Sequence, residues 1–215
     1  MLQFSFWDIL SNLLIATQWT IVLSLIAFVC GGIVGLILLF MRTSQVATLE
    51  GFTKIYIEIF QGTPLLMQLF LFFFGIALLG VEVSPWMAAT MALTFWTSAF
   101  LAEIWRGCIQ GIPRAQWEAA RIIGLNKFQQ QVYVILPQAL LISLPSTVGF
   151  FVQIIKATAL LSVLGFSEIL RTAQTINNAT FQPFLIYGLC GLLYFILCWP
   201  LSRLSTYLEA RFHVH

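Results

Sequence analysis

Long uncharged stretches alternate with short polar islands along the chain. In order, the uncharged runs cover 9–41, 59–81, 83–102, 128–155 and 172–202. A helix needs roughly 20 apolar residues to cross the hydrocarbon core, so the runs predict five membrane spans. Transmembrane β-barrel strands alternate apolar and polar positions over segments of about 10 residues, and none of these runs does. Every backbone amide in lipid needs a partner, which leaves helices as the way to cross. The expectation is an all-α integral membrane fold in a single domain over 1–215, with spans at about 16–41, 62–80, 86–106, 138–157 and 184–204.

Local signals refine each span. Gly31 and Gly35 form a Gly-x-x-x-Gly pair that allows another helix to approach closely, and packing within the chain is the reading preferred over a dimer contact. Gly62-Thr63-Pro64 precedes the second span, where proline suits a first helical turn because its missing N–H would have no partner there. Trp86 and Trp105 sit at opposite ends of the third span, as interfacial anchors do. Glu103 and Arg106 are spaced to pair on one helix face. Pro145 is expected to kink the fourth span, and Lys156 to lie near its outer end. Ser167 and Glu168 open a short external helix, with Ser167 as N-cap and Glu168 in the first turn. Asn177 to Thr180 close it. His213 and His215 at the tail are not expected to bind metal.

Composition supports a bilayer setting. Hydrophobic residues make up 60% of the 215 and charged ones 8%, against about 25% charged in soluble domains. Mean hydropathy is +0.95. Met1 to Ile9 carries no basic residue, so the first span reads as retained rather than cleaved. Cys30, Cys108, Cys190 and Cys198 lack Cys-x-x-Cys spacing, and the three in predicted spans, Cys30, Cys190 and Cys198, read as small buried apolar groups.

A net charge of +2 gives no reason to expect nucleic acid as a partner, but the placement of the charges sets an orientation. Arg42 and Lys54 follow span one, Arg106, Arg114, Arg121 and Lys127 follow span three, and Arg203 and Arg211 follow span five. Eight of the ten basic residues thus fall on one side, which the positive-inside rule assigns to the cytoplasm. The N-terminus is then outside and the C-terminus cytoplasmic.

The cytoplasmic loop at about 107–137 carries the chemistry. Its segment Gln116-Trp117-Glu118-Ala119-Ala120-Arg121-Ile122-Ile123 is too short and charged to span but suits a brief helix. Glu118 near the start favours the positive dipole end, and Arg121 falls one turn later. Ala119 and Ala120 remove bulk where another protein could approach, and Gly124 can take the left-handed conformation that ends a helix. Such a knob fits recognition by a groove in a partner.

Glu118-Ala119-Ala120, then Gly124, then Val134-Ile135-Leu136-Pro137 resembles the EAA loop of permease subunits in ABC importers. The likeness extends through Gly62-Thr63-Pro64-Leu65-Leu66-Met67-Gln68, Ala102-Glu103-Ile104-Trp105-Arg106-Gly107, Lys156-Ala157-Thr158-Ala159-Leu160 and Ala179-Thr180-Phe181-Gln182-Pro183-Phe184. From Gly62 to Arg211 the chain is similar to permeases of the polar amino-acid uptake branch, the histidine, glutamine, arginine and cystine type.

The resemblance implies a five-span, type I ABC importer permease in a bacterial cytoplasmic (inner) membrane. It would pair with a second permease, identical or related, dock on two cytoplasmic ATPase subunits and receive solute from an external amino-acid-binding protein. On this reading Gln116, Glu118, Ala119, Ala120, Gly124, Leu136 and Pro137 couple to the ATPase, and Gln153, Lys156 and Thr158 line the solute path. Ala115, Gln61, Gly149, Ala157 and Ala159 depart from the residues usual in the family at those places.

No Gly-x-x-x-x-Gly-Lys-Ser/Thr cradle occurs, so ATP and Mg are expected in the partner ATPases, and the chain itself is expected to bind no cofactor and to be no enzyme. A stand-alone channel or secondary transporter for small polar solutes, relaying through Glu58, Glu103 and Lys156, is the alternative. An intramembrane enzyme would need a nucleophile and base or a metal cluster, and the sequence offers neither.

Overall fold

Apolar sequence in a bilayer can satisfy its backbone only within helices, and helices account for nearly all of the computed structural model, which describes residues 5–44 and 46–212. They are α1 (Phe6–Thr43), α2 (Ala47–Gly62), α3 (Leu65–Leu78), α4 (Pro85–Gln110), α5 (Arg114–Ile122), α6 (Lys127–Leu164), α7 (Ile169–Thr180) and α8 (Pro183–Phe212). The histidine tail lies outside the described residues.

Four helices, α1, α4, α6 and α8, are long and apolar enough to cross a membrane, and α2 with α3 makes a fifth when the bent pair is counted as one. The spans differ in detail from the sequence expectation. α1 begins at Phe6 rather than near residue 16, because Ser5 and Asp8 form a reciprocal capping box there. Arg42 and Lys54 were placed only between spans one and two; there Ala47–Gly62 is helical and meets α3 at 104°. The stretch 107–137 is largely helix, with α4 continuing to Gln110 and α6 starting at Lys127.

The elbow between α2 and α3 explains the Gly62-Thr63-Pro64 motif. Pro64 is extended and cannot donate, so the chain turns there. Gln68 then reaches back, its Nε2 donating to the Phe60 carbonyl at 2.9 Å, the Thr63 carbonyl at 3.1 Å and Thr63 Oγ1 at 2.9 Å. α2 is tied to α4 by Tyr56 Oη and Ser98 Oγ at 2.7 Å and by Gln61 Nε2 donating to the Ala99 carbonyl at 3.2 Å. α3 turns Met67, Leu71, Phe74 and Leu78 outward as one apolar stripe.

In lipid no hydrophobic drive separates helices from hydrocarbon, so close packing of small residues holds them together. α1 and α4 form the central pair. The glycine pair of α1 faces α4 of the same chain, in keeping with packing inside the subunit. A Cβ on Gly31 would stand 2.5 Å from Thr97 Cγ2, and one on Gly35 3.1 Å from the Ser98 carbonyl. Phe28, Phe150, Phe100 and Trp96 fill the space between α1, α4 and α6. α8 is pinned to α6 where Ser205 Oγ donates to the Pro145 carbonyl at 2.7 Å.

Candidate functional site

Two polar constellations stand out from the apolar bundle. One is the knob formed by α5, and the other is a buried carboxylate at the far end of α6.

The knob is built by three terminators. Gly111 closes α4, its N–H bonded to the Gly107 carbonyl at 2.9 Å. Pro113, extended and without a donor, then starts α5. Gly124 ends α5 at φ +83°, with its N–H on the Arg121 carbonyl at 3.0 Å and the Leu125 N–H on the Ala120 carbonyl at 3.2 Å. That pair of bonds is a Schellman ending, for which glycine is the residue without steric penalty. The expected glycine stop is therefore present. Asn126 and Gln129 restart the chain as α6 through a second reciprocal capping box.

The knob has a rigid root. Ile112, Ile109, Leu39, Ile135 and Ala139 form a buried cluster against which Trp117 and Leu136 pack. Gln130, also buried, donates from Nε2 to the Leu125 carbonyl at 2.6 Å. Gln138 Nε2 reaches Gln116 Oε1 at 3.5 Å. Gln130–Ile135 is a π-helical turn, a form frequent at functional sites.

The predicted coupling residues divide between surface and root. Gln116, Glu118, Ala119 and Gly124 are exposed, as is Pro137. Ala120 is only 2% exposed and faces the bundle, so its small size serves the root rather than a partner. Leu136 is half-buried in the same root. Glu118 lies mid-helix, because α5 starts at Arg114 with no acidic residue in its first turn. Sequence reading missed the apolar tip of α5, Ile122 at 85% and Ile123 at 73% exposure beside the exposed charges; Phe128, early in α6, is also 72% exposed. The signal was available, since Ile122 and Ile123 are adjacent apolar residues just before a helix stop. Isolated exposed apolar residues are ordinary, whereas two adjacent ones at a helix end make a candidate contact for a partner.

Of the three residues assigned to a solute path, two share a face and the third is enclosed. Gln153 and Lys156 share an exposed stripe of α6. Thr158 is fully buried, its Oγ1 donating to the Ile155 carbonyl at 2.7 Å where the helix tightens into a 3-10 turn. It lines no surface. Gly149 backs onto α8, a Cβ there lying 3.2 Å from Ser205 Oγ. The proposed relay does not assemble either, because Glu58 pairs with Lys54 and Glu103 with Arg106.

At the other end, Glu168 rather than Ser167 caps α7. Its carboxylate is fully buried and accepts from the Leu170 N–H at 2.8 Å, the Arg171 N–H at 2.6 Å and Tyr194 Oη of α8 at 2.8 Å. Thr20 Oγ1 of α1 accepts from the Ile169 N–H at 3.4 Å. Burial pushes the Glu168 carboxyl above its ordinary value, and the bonds from Leu170, Tyr194 and Arg171 offset that only in part. A raised value means that the folded protein holds the proton more tightly than the unfolded chain. The stability Glu168 contributes is thus complete below the ordinary value of 4.5 and is lost as pH rises through the folded value. Glu168→Gln removes the titration at a pH-independent cost, since its amide nitrogen cannot accept from a backbone N–H, so the variant's melting temperature relative to the parent is expected to rise with pH. A difference in melting temperature that stays constant from acid to neutral pH would refute this.

Residues 27–214 match the family described as binding-protein-dependent transport system inner membrane component. The chain is 35% identical over 212 residues to the L-cystine transport system permease protein TcyB of Bacillus subtilis, covering 98% of this chain and 89% of that one. It is 34% identical over 209 residues to the histidine/lysine/arginine/ornithine transport system permease protein HisM of Escherichia coli K12, covering 93% and 87%. Among solved structures, an amino acid ABC transporter crystallised with histidines superposes with a TM-score of 0.91 at 31% identity, over 98% of this chain and all of that one. The MetNI methionine ABC transporter in an inward-facing form shares the fold, with a TM-score of 0.71 at 21% identity over 97% of each chain.

Proposed function

The chain belongs to the binding-protein-dependent transport system inner membrane component family, and from that premise we propose that α5 is the point at which ATP hydrolysis by a partner drives amino-acid import. The chain is a multi-pass membrane permease subunit of an amino-acid ABC importer. It would work in a bacterial cytoplasmic membrane as one of two permeases above two ATPase subunits, with an external binding protein delivering solute. ATP and Mg belong to the ATPases on this reading.

The observation that carries the coupling role is the exposed tip of α5 on a buried root. Glu118, Ala119, Ile122 and Ile123 are presented to solvent, while Trp117 and Ile112, just before the helix, join the cluster shared by α1, α4 and α6, and Ala120 is buried. A groove that grips the tip then moves the ends of three membrane-spanning helices. Movement becomes transport when ATP and the binding protein favour different settings of the bundle.

Reconstitution tests the reading. Vesicles holding the permease, the candidate ATPase and the binding protein are expected to take up a labelled amino acid only with ATP inside. Uptake at an undiminished rate by the permease alone would point to a channel or secondary transporter instead. A panel of labelled basic, acidic, polar and sulfur-containing amino acids on the binding protein would identify the cargo.

A further inference from the structure

Between α1, α4 and α6, at the end of the bundle that carries α5, lies an apolar cavity of about 270 Å3. Its walls include Leu36 and Phe40 of α1, Trp105 of α4, and Leu140, Ser143 and Thr147 of α6. Both wall hydroxyls are already engaged: Ser143 Oγ donates to the Leu140 carbonyl at 2.9 Å, and Thr147 Oγ1 accepts from Trp105 Nε1 at 3.0 Å. A buried water needs about three hydrogen bonds, so these walls hold water poorly. They suit hydrocarbon. Leu36, Phe40, Leu140 and Leu144 at the mouth are all more than 40% exposed, so the opening is itself apolar.

A second feature adjoins the cavity. Ile109 lines both the cavity and a neighbouring polar cleft formed by Arg42, Thr43, Glu50, Arg106 and Gln110. Arg106 is held by Glu103 and Gln110, whereas Arg42 gives one terminal nitrogen to Glu50 at 3.1 Å and leaves its buried Nε without an acceptor. That Nε is enclosed, so a phosphate oxygen would be met by the outer, terminal nitrogens of the guanidinium, beside the Glu50 carboxylate that shares the cleft.

We propose that this is a phospholipid site, with one acyl chain in the cavity and the phosphate at the cleft beside Arg42. The inference rests on the chain's place in a bilayer and not on its cargo or on coupling through α5. Occupancy would fill the space beside Leu39, Ile109, Leu136 and Ala139, the same residues that root α5, so the bound lipid would stiffen the knob's footing.

The test uses the purified full chain in vesicles of phosphatidylglycerol carrying a trace of the same lipid with a diazirine near the end of one tail. Photolysis followed by peptide mass mapping is expected to label 136–147 and 36–40. Leu140→Trp, at an exposed rim position, and Ser143→Phe, on the wall, should each cut that labelling about ten-fold, equivalent to roughly two methylene groups no longer buried. Arg42→Gln should lower it about ten-fold or more, as loss of one charge-assisted bond would. Size-exclusion profiles matching the parent's keep the comparison on folded protein, and Leu140→Trp stands if Ser143→Phe does not fold. Undiminished labelling in the folded filling variants overturns the proposal. So does a cross-link from 136–147 to a second permease in place of lipid, since protein would then cover the mouth.

Discussion

Replacing Gly124 by valine is expected to cut ATP-dependent uptake by about ten-fold or more while the membrane bundle stays folded. A residue with a Cβ pays roughly 1–2 kcal/mol in the left-handed region, a β-branched one is worse placed there, and 1.4 kcal/mol is ten-fold in an equilibrium. The cost is purely conformational, because a Cβ on Gly124 would meet nothing within 4 Å. That makes the series graded. Asparagine, which tolerates positive φ, should act close to the parent, alanine should be intermediate and valine worst. ATPase capture by the immobilised permease should follow the same order as uptake. Equal activity of the valine and parent proteins would remove α5 geometry from coupling, and equal defects in asparagine and valine would implicate side-chain bulk at the docking face instead. Ile123→Asp, which leaves the helix ending intact but spoils the apolar tip, separates shape from contact.

The second large effect is expected in stability. Gly31→Ala should destabilise the folded permease by about 1–3 kcal/mol, the usual range for overpacking, since its Cβ would lie 2.5 Å from Thr97 Cγ2 and 2.6 Å from Thr97 Cβ. The adjacent glycine is the control. A Cβ on Gly32 meets only the far ends of Trp105 and Leu101 at 3.9 and 4.0 Å, so Gly32→Ala should be neutral or gain up to about 1 kcal/mol from reduced backbone freedom. Gly35→Ala should fall between, limited by the Ser98 carbonyl at 3.1 Å. Thermal unfolding of the three variants in one detergent gives the order. If Gly31→Ala melts with the parent, α1 and α4 are not in that register.

Much of this architecture was legible because bilayers impose simple rules. Uncharged runs marked the membrane-crossing helices, and the Glu-Ala-Ala string with its glycine marked α5. What escaped had local physical causes. α2 was hidden because Glu50, Lys54 and Glu58 break its hydropathy, although Tyr56, Gln61 and Ile57 give it a face that packs on α4. Glu168 was misplaced by one capping position, since a serine followed by a glutamate offers two possible caps and only tertiary contacts with Tyr194 decide between them. Thr158 looked like a path residue because polar groups in spans invite that reading. A hydroxyl returned to its own helix backbone carries no such implication.

α3 has a consequence for the surrounding membrane. Its 14 residues, Leu65–Leu78, extend about 21 Å at 1.5 Å per residue, short of the roughly 30 Å hydrocarbon thickness. α2 leaves it at 104° and cannot lengthen it. If α3 crosses the bilayer on its own, lipid meeting the Met67, Leu71, Phe74 and Leu78 stripe would have to thin, at a cost of some fraction of a kcal/mol per Å of mismatch. Each strained perimeter would behave like a line tension, and in the proposed assembly of two permeases a contact between their short limbs would erase it from both. The bilayer's own elasticity would then favour the pairing of subunits, even where the facing side chains are no stickier to each other than to lipid.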